Sequence, residues 1–129
     1  MISQIVLPAA RIQSGGVMRL LLCDDYEPLL DALSMALRDR GHTIVATAID
    51  PDEAVEAARK HQPDACLLDV NFRHANGLNA IGRILEVSPD TKVVMLSGSI
   101  SRGLMADAIA KQTEANLRRG GLLASEPPT

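Results

Sequence analysis

The sequence is poor in aromatic residues. Of 129 residues only Tyr26 and Phe72 are aromatic, and tryptophan is absent. A platform on which nucleic-acid bases stack is therefore excluded. Positive charge is also short, with 13 Lys and Arg against 16 Asp and Glu for a net charge of −3. Nonspecific nucleic-acid binding needs a positive field, so direct contact with DNA or RNA is not expected of this chain. The two cysteines, Cys23 and Cys66, make no CxxC pair and have no histidines at ligand spacing. That excludes a disulfide scaffold and a structural zinc site. No apolar run approaches the roughly 20 residues of a membrane span. The first residues lack the charged segment and long apolar stretch of a secretory signal. No HExxH, GxSxG or GxGxxG occurs, and after Gly98 and Gly103 the positions of a phosphate-cradling Lys and hydroxyl hold Leu104 and Met105. What remains is a soluble, cytoplasmic chain of ordinary composition, 47% apolar and 22% charged. Its length suits one core and not two.

Residues 1–17 stand apart from the rest. Ile2 to Leu7 is a short apolar run stopped by Pro8, and Gly15–Gly16 make a joint. They read as an N-terminal extension or leader, or else as an added strand that pairs with a partner or an open sheet edge. From Met18 strands and helices alternate. Leu20 to Cys23 is a continuous apolar run of strand length, Thr43 to Ala48 is rich in β-branched residues, Ala65 to Val70 is a third strand that again ends in an acid, Asp69, and Lys92 to Leu96 is a fourth. Pro28 to Arg40 carries leucines at helical spacing and stops at Gly41. Asp50–Pro51 opens a second helix that ends before Pro63. A third follows the Asn76–Gly77 turn, and a fourth spans Arg102 to about Glu114. Four β-α units in succession imply a doubly wound parallel α/β sheet with its site at the carboxyl ends of the strands. After Glu114 the pattern weakens. Asn116 to Arg118 makes a poor fifth strand, and no fifth helix follows. The stretch Arg102 to Arg118 also fits one longer helix, because Lys, Gln, Glu and Ala are good helix formers. Residues 18–119 form the domain and 120–129 a tail.

Polar groups sit where the apolar strands stop: Asp24–Asp25, Asp69 and Ser97. Carboxylates brought together repel and are costly to desolvate, and a hard divalent cation relieves both costs. A metal-neutralised carboxylate facing an open site is a nucleophile for phosphorus. The plain reading is that Asp24 and Asp25 cap the helix that follows them, whose positive end favours acids. Cys23 and Cys66 read as packing residues, Met35, Met95 and Met105 as core or interface residues, and His42 and His61 as surface residues near helix ends.

With these residues in view, the chain resembles the receiver domains of bacterial two-component response regulators. The matching segments are LLLCDD, CLLDV, NGL and KVVMLSG, and Asp69 lies 44 residues after Asp25. The resemblance covers roughly residues 18–119 and implies a flavodoxin-like sheet of order 2-1-3-4-5. It also implies that Asp69 accepts a phosphoryl group from a sensor histidine kinase. Asp25 and Asp24 would hold Mg²⁺ together with Asp69 and the backbone carbonyl of Asn71, and Ser97 would bind the phosphoryl group. The chain would act as an acceptor with slow self-dephosphorylation, not as a turnover enzyme. His74 lies in the loop near Asp69, where contact with an incoming phosphodonor is the lesser of its readings.

The family's strand-end Lys, about 22 residues past the hydroxyl, falls on Arg119, and its aromatic switch position falls on Asn116. The last β/α unit is weak or missing. An open edge invites pairing, so a homo-oligomer with exchanged C-terminal elements is expected. The rival reading is a phosphorylation-silent interaction module that works through its exposed edge and fourth helix. An Mg²⁺-dependent phosphatase is disfavoured, because such enzymes need a second acid where Asn71 stands.

Overall fold

The computed structural model describes residues 3–7, 17–69, 77–97 and 106–119. Its elements are β1 (Ser3–Leu7), β2 (Arg19–Cys23), α1 (Glu27–Asp39), β3 (Thr43–Ala48), α2 (Pro51–His61), β4 (Ala65–Asp69), α3 (Gly77–Val87), β5 (Lys92–Ser97) and α4 (Ala106–Arg119). The strands after β1 are parallel, in the order β3-β2-β4-β5. This is the 2-1-3-4 arrangement of a flavodoxin-like doubly wound sheet, and among the described residues no fifth parallel strand follows.

The three inner strands are apolar on both faces because helices cover both. Leu20, Leu22, Leu67 and Val94 face α1 and α4. Leu21, Cys23, Leu68 and Val93 face α2 and α3. Pro28 sits in the first turn of α1, and Leu29, Leu30, Leu33 and Leu37 are its buried stripe. Gly41, at φ 96°, takes the left-handed turn that lets the chain reverse into β3. Asp50 caps α2 by accepting from the Glu53 amide at 2.9 Å, while the Glu53 carboxylate accepts from the Ile49 amide at 3.0 Å. That reciprocal pair fixes where α2 begins.

The two ends of the chain depart from the expected pattern. No strand forms at Asn116–Arg118: α4 runs unbroken to Arg119. The reason is visible in the packing. Ile109, Ala110, Thr113 and Leu117 are all buried, so the apolar stripe continues at helical spacing past the point where a strand was expected. Helix α4 lies on the α1 face of the sheet. The fifth place is filled instead by β1, antiparallel to β5, in a register from Ser3 opposite Ser97 to Leu7 opposite Val93. Of the two readings of residues 1–17, the added strand is the one that Ser3–Leu7 adopt. Met35 is 65% exposed and belongs to neither core, whereas Met95 is buried.

Cys23 and Cys66 meet with their sulfurs 3.5 Å apart. They are not opposite one another, since Cys66 pairs with Leu21 and Cys23 with Leu68. Diagonal neighbours in a sheet have Cα atoms roughly 7–8 Å apart, wider than the usual span of a disulfide. Burial, reinforced by the hydrogen bond from Cys66, pushes the Cys23 thiol well above its ordinary value. The contact is packing. We expect neither thiol to react with an aromatic disulfide reagent in the native protein and both to react in denaturant, as monitored by thiolate release.

Candidate functional site

The parallel pairing of β2 with β4 builds the site. Cys23 stands opposite Leu68, so the residues just beyond them, Asp24 and Asp69, leave the sheet side by side. The Asp24 amide donates to the Ala48 carbonyl at 3.1 Å and extends β2 by one bond. An Asp24 carboxylate oxygen then accepts from the Tyr26 amide at 2.9 Å. This turn directs the chain into α1. One carboxylate oxygen from each of Asp24, Asp25 and Asp69 lies within 4.8 Å of the others. Asp24 is 5% exposed, and Asp25 and Asp69 are half-buried.

Three carboxylates at this separation are a concentrated negative charge. Each pair repels by about 3 kcal/mol at an effective dielectric near 20, before solvent screening. The capping reading accounts for Asp24 in part, since its carboxylate serves the turn before α1. It does not account for Asp69, which comes from a different strand. The donor set is all oxygen and hard, and it fits a hard divalent cation.

The remaining expected site residues fall as follows. Ser97 ends β5. It follows Leu96, which is the partner of Asp69 across the β4–β5 pairing, so its backbone arrives at the acidic end of the sheet. Arg119 is the last residue of α4. Its expected place at the end of a fifth strand does not exist, because that segment is helical. Asn71, His74 and Gly98 lie outside the described residues.

A second polar cluster was not legible in the sequence. His42 is buried, not a surface residue. Its Nδ1 accepts from the Met18 amide at 3.1 Å, and its Nε2 is 2.5 Å from a Glu114 carboxylate oxygen. With Nδ1 accepting, Nε2 is the ring nitrogen left to donate to Glu114. Arg40 donates to the other Glu114 oxygen at 2.6 Å. Glu114 is 5% exposed and lies on α4. The cluster therefore ties α4 to the end of α1 and to the start of β2. Residues 72 positions apart in sequence make it, and no local pattern marks such a pair. Burial alone would push the Glu114 carboxyl up, but hydrogen bonds from Arg40 and His42 more than offset it and hold it below its ordinary value.

Among the described residues no helix is long and apolar enough to cross a membrane.

The comparisons with known proteins agree with this fold. A family profile, the response regulator receiver domain, matches residues 20–117. The chain is similar to the chemotaxis protein CheY of Listeria monocytogenes, with 30% identity over 95 residues, covering 74% of this chain and 80% of that protein. It is 36% identical over 83 residues to the protein-glutamate methylesterase/protein-glutamine glutaminase of Natronomonas pharaonis, covering 64% of this chain and 23% of that protein. The chain thus spans less than two-fifths of the length of the first curated relatives it matches. Among solved structures, the response regulator domain of Thermotoga maritima CheB is similar in fold, with TM-score 0.66 and 22% identity, covering 87% of this chain and 99% of that one. Strand β1 lies outside the matched segment.

Proposed function

The chain belongs to the response regulator receiver family, and on that footing we propose that it is a phosphoacceptor signalling domain. In this reading Asp69 takes a phosphoryl group from a sensor histidine kinase in an Mg²⁺-dependent step, and other proteins read the result through altered contacts. One observation supports it above the rest: carboxylates from two separate strands, Asp24, Asp25 and Asp69, converge within 4.8 Å. Those three side chains, with the Asn71 backbone carbonyl, would hold Mg²⁺. The bound ion supplies charge neutralisation toward the phosphoryl oxygens.

The chain's own residues do the rest. A carboxylate oxygen of Asp69 attacks phosphorus while the phosphorus–nitrogen bond to the donor imidazole breaks, and the released imidazole takes a proton. Ser97 offers its hydroxyl to a phosphoryl oxygen. To do so it moves toward β4, the strand that carries Asp69. Water later attacks phosphorus, inorganic phosphate leaves, and the free carboxylate returns. Such a chain is an acceptor with slow self-dephosphorylation rather than an enzyme acting on an external substrate. The proposed role of Arg119 rested on a fifth strand, so its premise falls and phosphoryl binding is left to Ser97.

The same missing strand favours the alternative, a phosphorylation-silent interaction module. Its exposed edge, however, is filled from within by β1. That filling also removes the reason to expect exchanged C-terminal elements between copies.

Intact mass after incubation with Mg²⁺ and acetyl phosphate separates the readings. A single phosphoryl adduct is expected on the wild type, and none on Asp69→Asn or without Mg²⁺. A folded wild type that takes no adduct would establish the silent module.

A further inference from the structure

Strand β5 lies between two neighbours of different origin. On one side is β4, which carries Asp69, and on the other is β1. Strand β1 runs antiparallel, so its N-terminal end and not its C-terminal end reaches the acidic end of the sheet. There Ser3 pairs with Ser97. Ser97 is thus shared between the phosphoryl chemistry and the first rung of β1.

The two demands on Ser97 pull in opposite directions. A hydroxyl at this position that binds a phosphoryl group on Asp69 must approach β4. Because β4 and β1 flank β5 on opposite edges, a shift of the Ser97 backbone toward β4 is a withdrawal from Ser3. Strand β1 is five residues long and pairs along one edge only. It also lies outside the segment that matches the family. A short edge strand of this kind is drawn from the low end of local stability, where a small displacement opens pairing. The strand beneath it is the opposite case. Val93, Val94, Met95 and Leu96 of β5 are all buried, so the core holds β5 when β1 leaves.

We propose that β1 is a detachable strap: a phosphoryl group on Asp69 loosens β1 from β5, and β1 paired on β5 opposes that occupancy. This rests on the phosphoacceptor reading above and adds its regulation. By linkage the two effects are equal in size. The coupling gives the domain an output that needs no fifth strand, namely the uncovering of a row of backbone donors and acceptors on the β5 edge.

The test uses the full chain with Mg²⁺ and fluoroberyllate, a stable phosphoryl mimic. Binding is read by fluorine NMR and the opening of β1 by amide hydrogen exchange at residues 3–7. We expect exchange there to quicken about fivefold on binding. The double variant Ile5→Pro/Val6→Pro removes an amide on each edge of β1, so it blocks pairing whichever amide faces β5. It should bind the mimic about fivefold more tightly. Bound fluoroberyllate with unchanged or slower exchange at residues 3–7 overturns the strap and leaves the phosphoacceptor reading standing. No bound signal on the folded wild type overturns both. The wild-type exchange measurement decides the matter even where the proline variant fails to fold.

Discussion

Glu114→Ala is expected to lower the free energy of unfolding by about 3 kcal/mol, measured as a shift of the urea midpoint at constant slope. The loss is large for a residue remote from the acidic site because the carboxylate serves two donors at once. Removing it leaves the Nε2 proton of His42, whose side chain is fully buried, without an acceptor. Arg40 is 35% exposed, turns to water and contributes little of the loss. Glu114→Gln, which keeps an acceptor for His42, is expected to cost about 1 kcal/mol.

The same variant carries a pH signature. The folded-state carboxyl of Glu114 lies below its ordinary value. Such a group contributes stability that is present above its unfolded value and lost as pH falls through the folded one. The wild type therefore loses stability on acidification that Glu114→Ala does not have to lose, and the gap between the two narrows as pH drops below the ordinary carboxylate range. A gap that stays constant through that range would show that packing of the side-chain stem, and not its charge, sets the loss.

The acidic site and the parallel sheet were legible because both are written locally. A strand buried on both faces is a short unbroken apolar run, and Leu20–Cys23, Ala65–Leu68 and Val93–Leu96 each have that form. Acids just past such runs must emerge at one end of a parallel sheet, so the sequence alone brings Asp24, Asp25 and Asp69 to one end. The departures are written non-locally. Nothing within Ser3–Leu7 states that it pairs with β5 and not with another chain, because register on an edge is set by the vacancy it fills. That vacancy arises at the other end of the molecule, where Leu117 continues the buried stripe of α4 instead of starting a strand. One choice by the C-terminal segment thus decides the fate of the N-terminal one. The burial of His42 is non-local for a related reason. A histidine after a helix end favours the surface on local grounds, and only Glu114, far along the chain, makes its burial tolerable.

On the proposed function, Asp25→Asn is expected to weaken Mg²⁺ binding about tenfold or more, measured by calorimetry, because one of the three converging carboxylates is lost. Its effect on the metal-free protein is the sharper test. If Asp25 served only the positive end of α1, neutralising it would destabilise the domain by about 0.5 kcal/mol. If it stands in a cluster built for a cation, the metal-free wild type bears repulsion that the variant relieves. Asp25 is half-buried and within 4.8 Å of the other two carboxylates, so after solvent screening the relief is about 1 kcal/mol of added stability. The two readings differ in sign. With Mg²⁺ the order should reverse, since the wild type gains stability as the free ion rises above its dissociation constant while the variant gains less. A variant less stable than the wild type both with and without Mg²⁺ would return Asp25 to the role of a helix-end charge. A crossing of the two stabilities as Mg²⁺ is added would show that the domain gives up stability when empty to hold an ion when full.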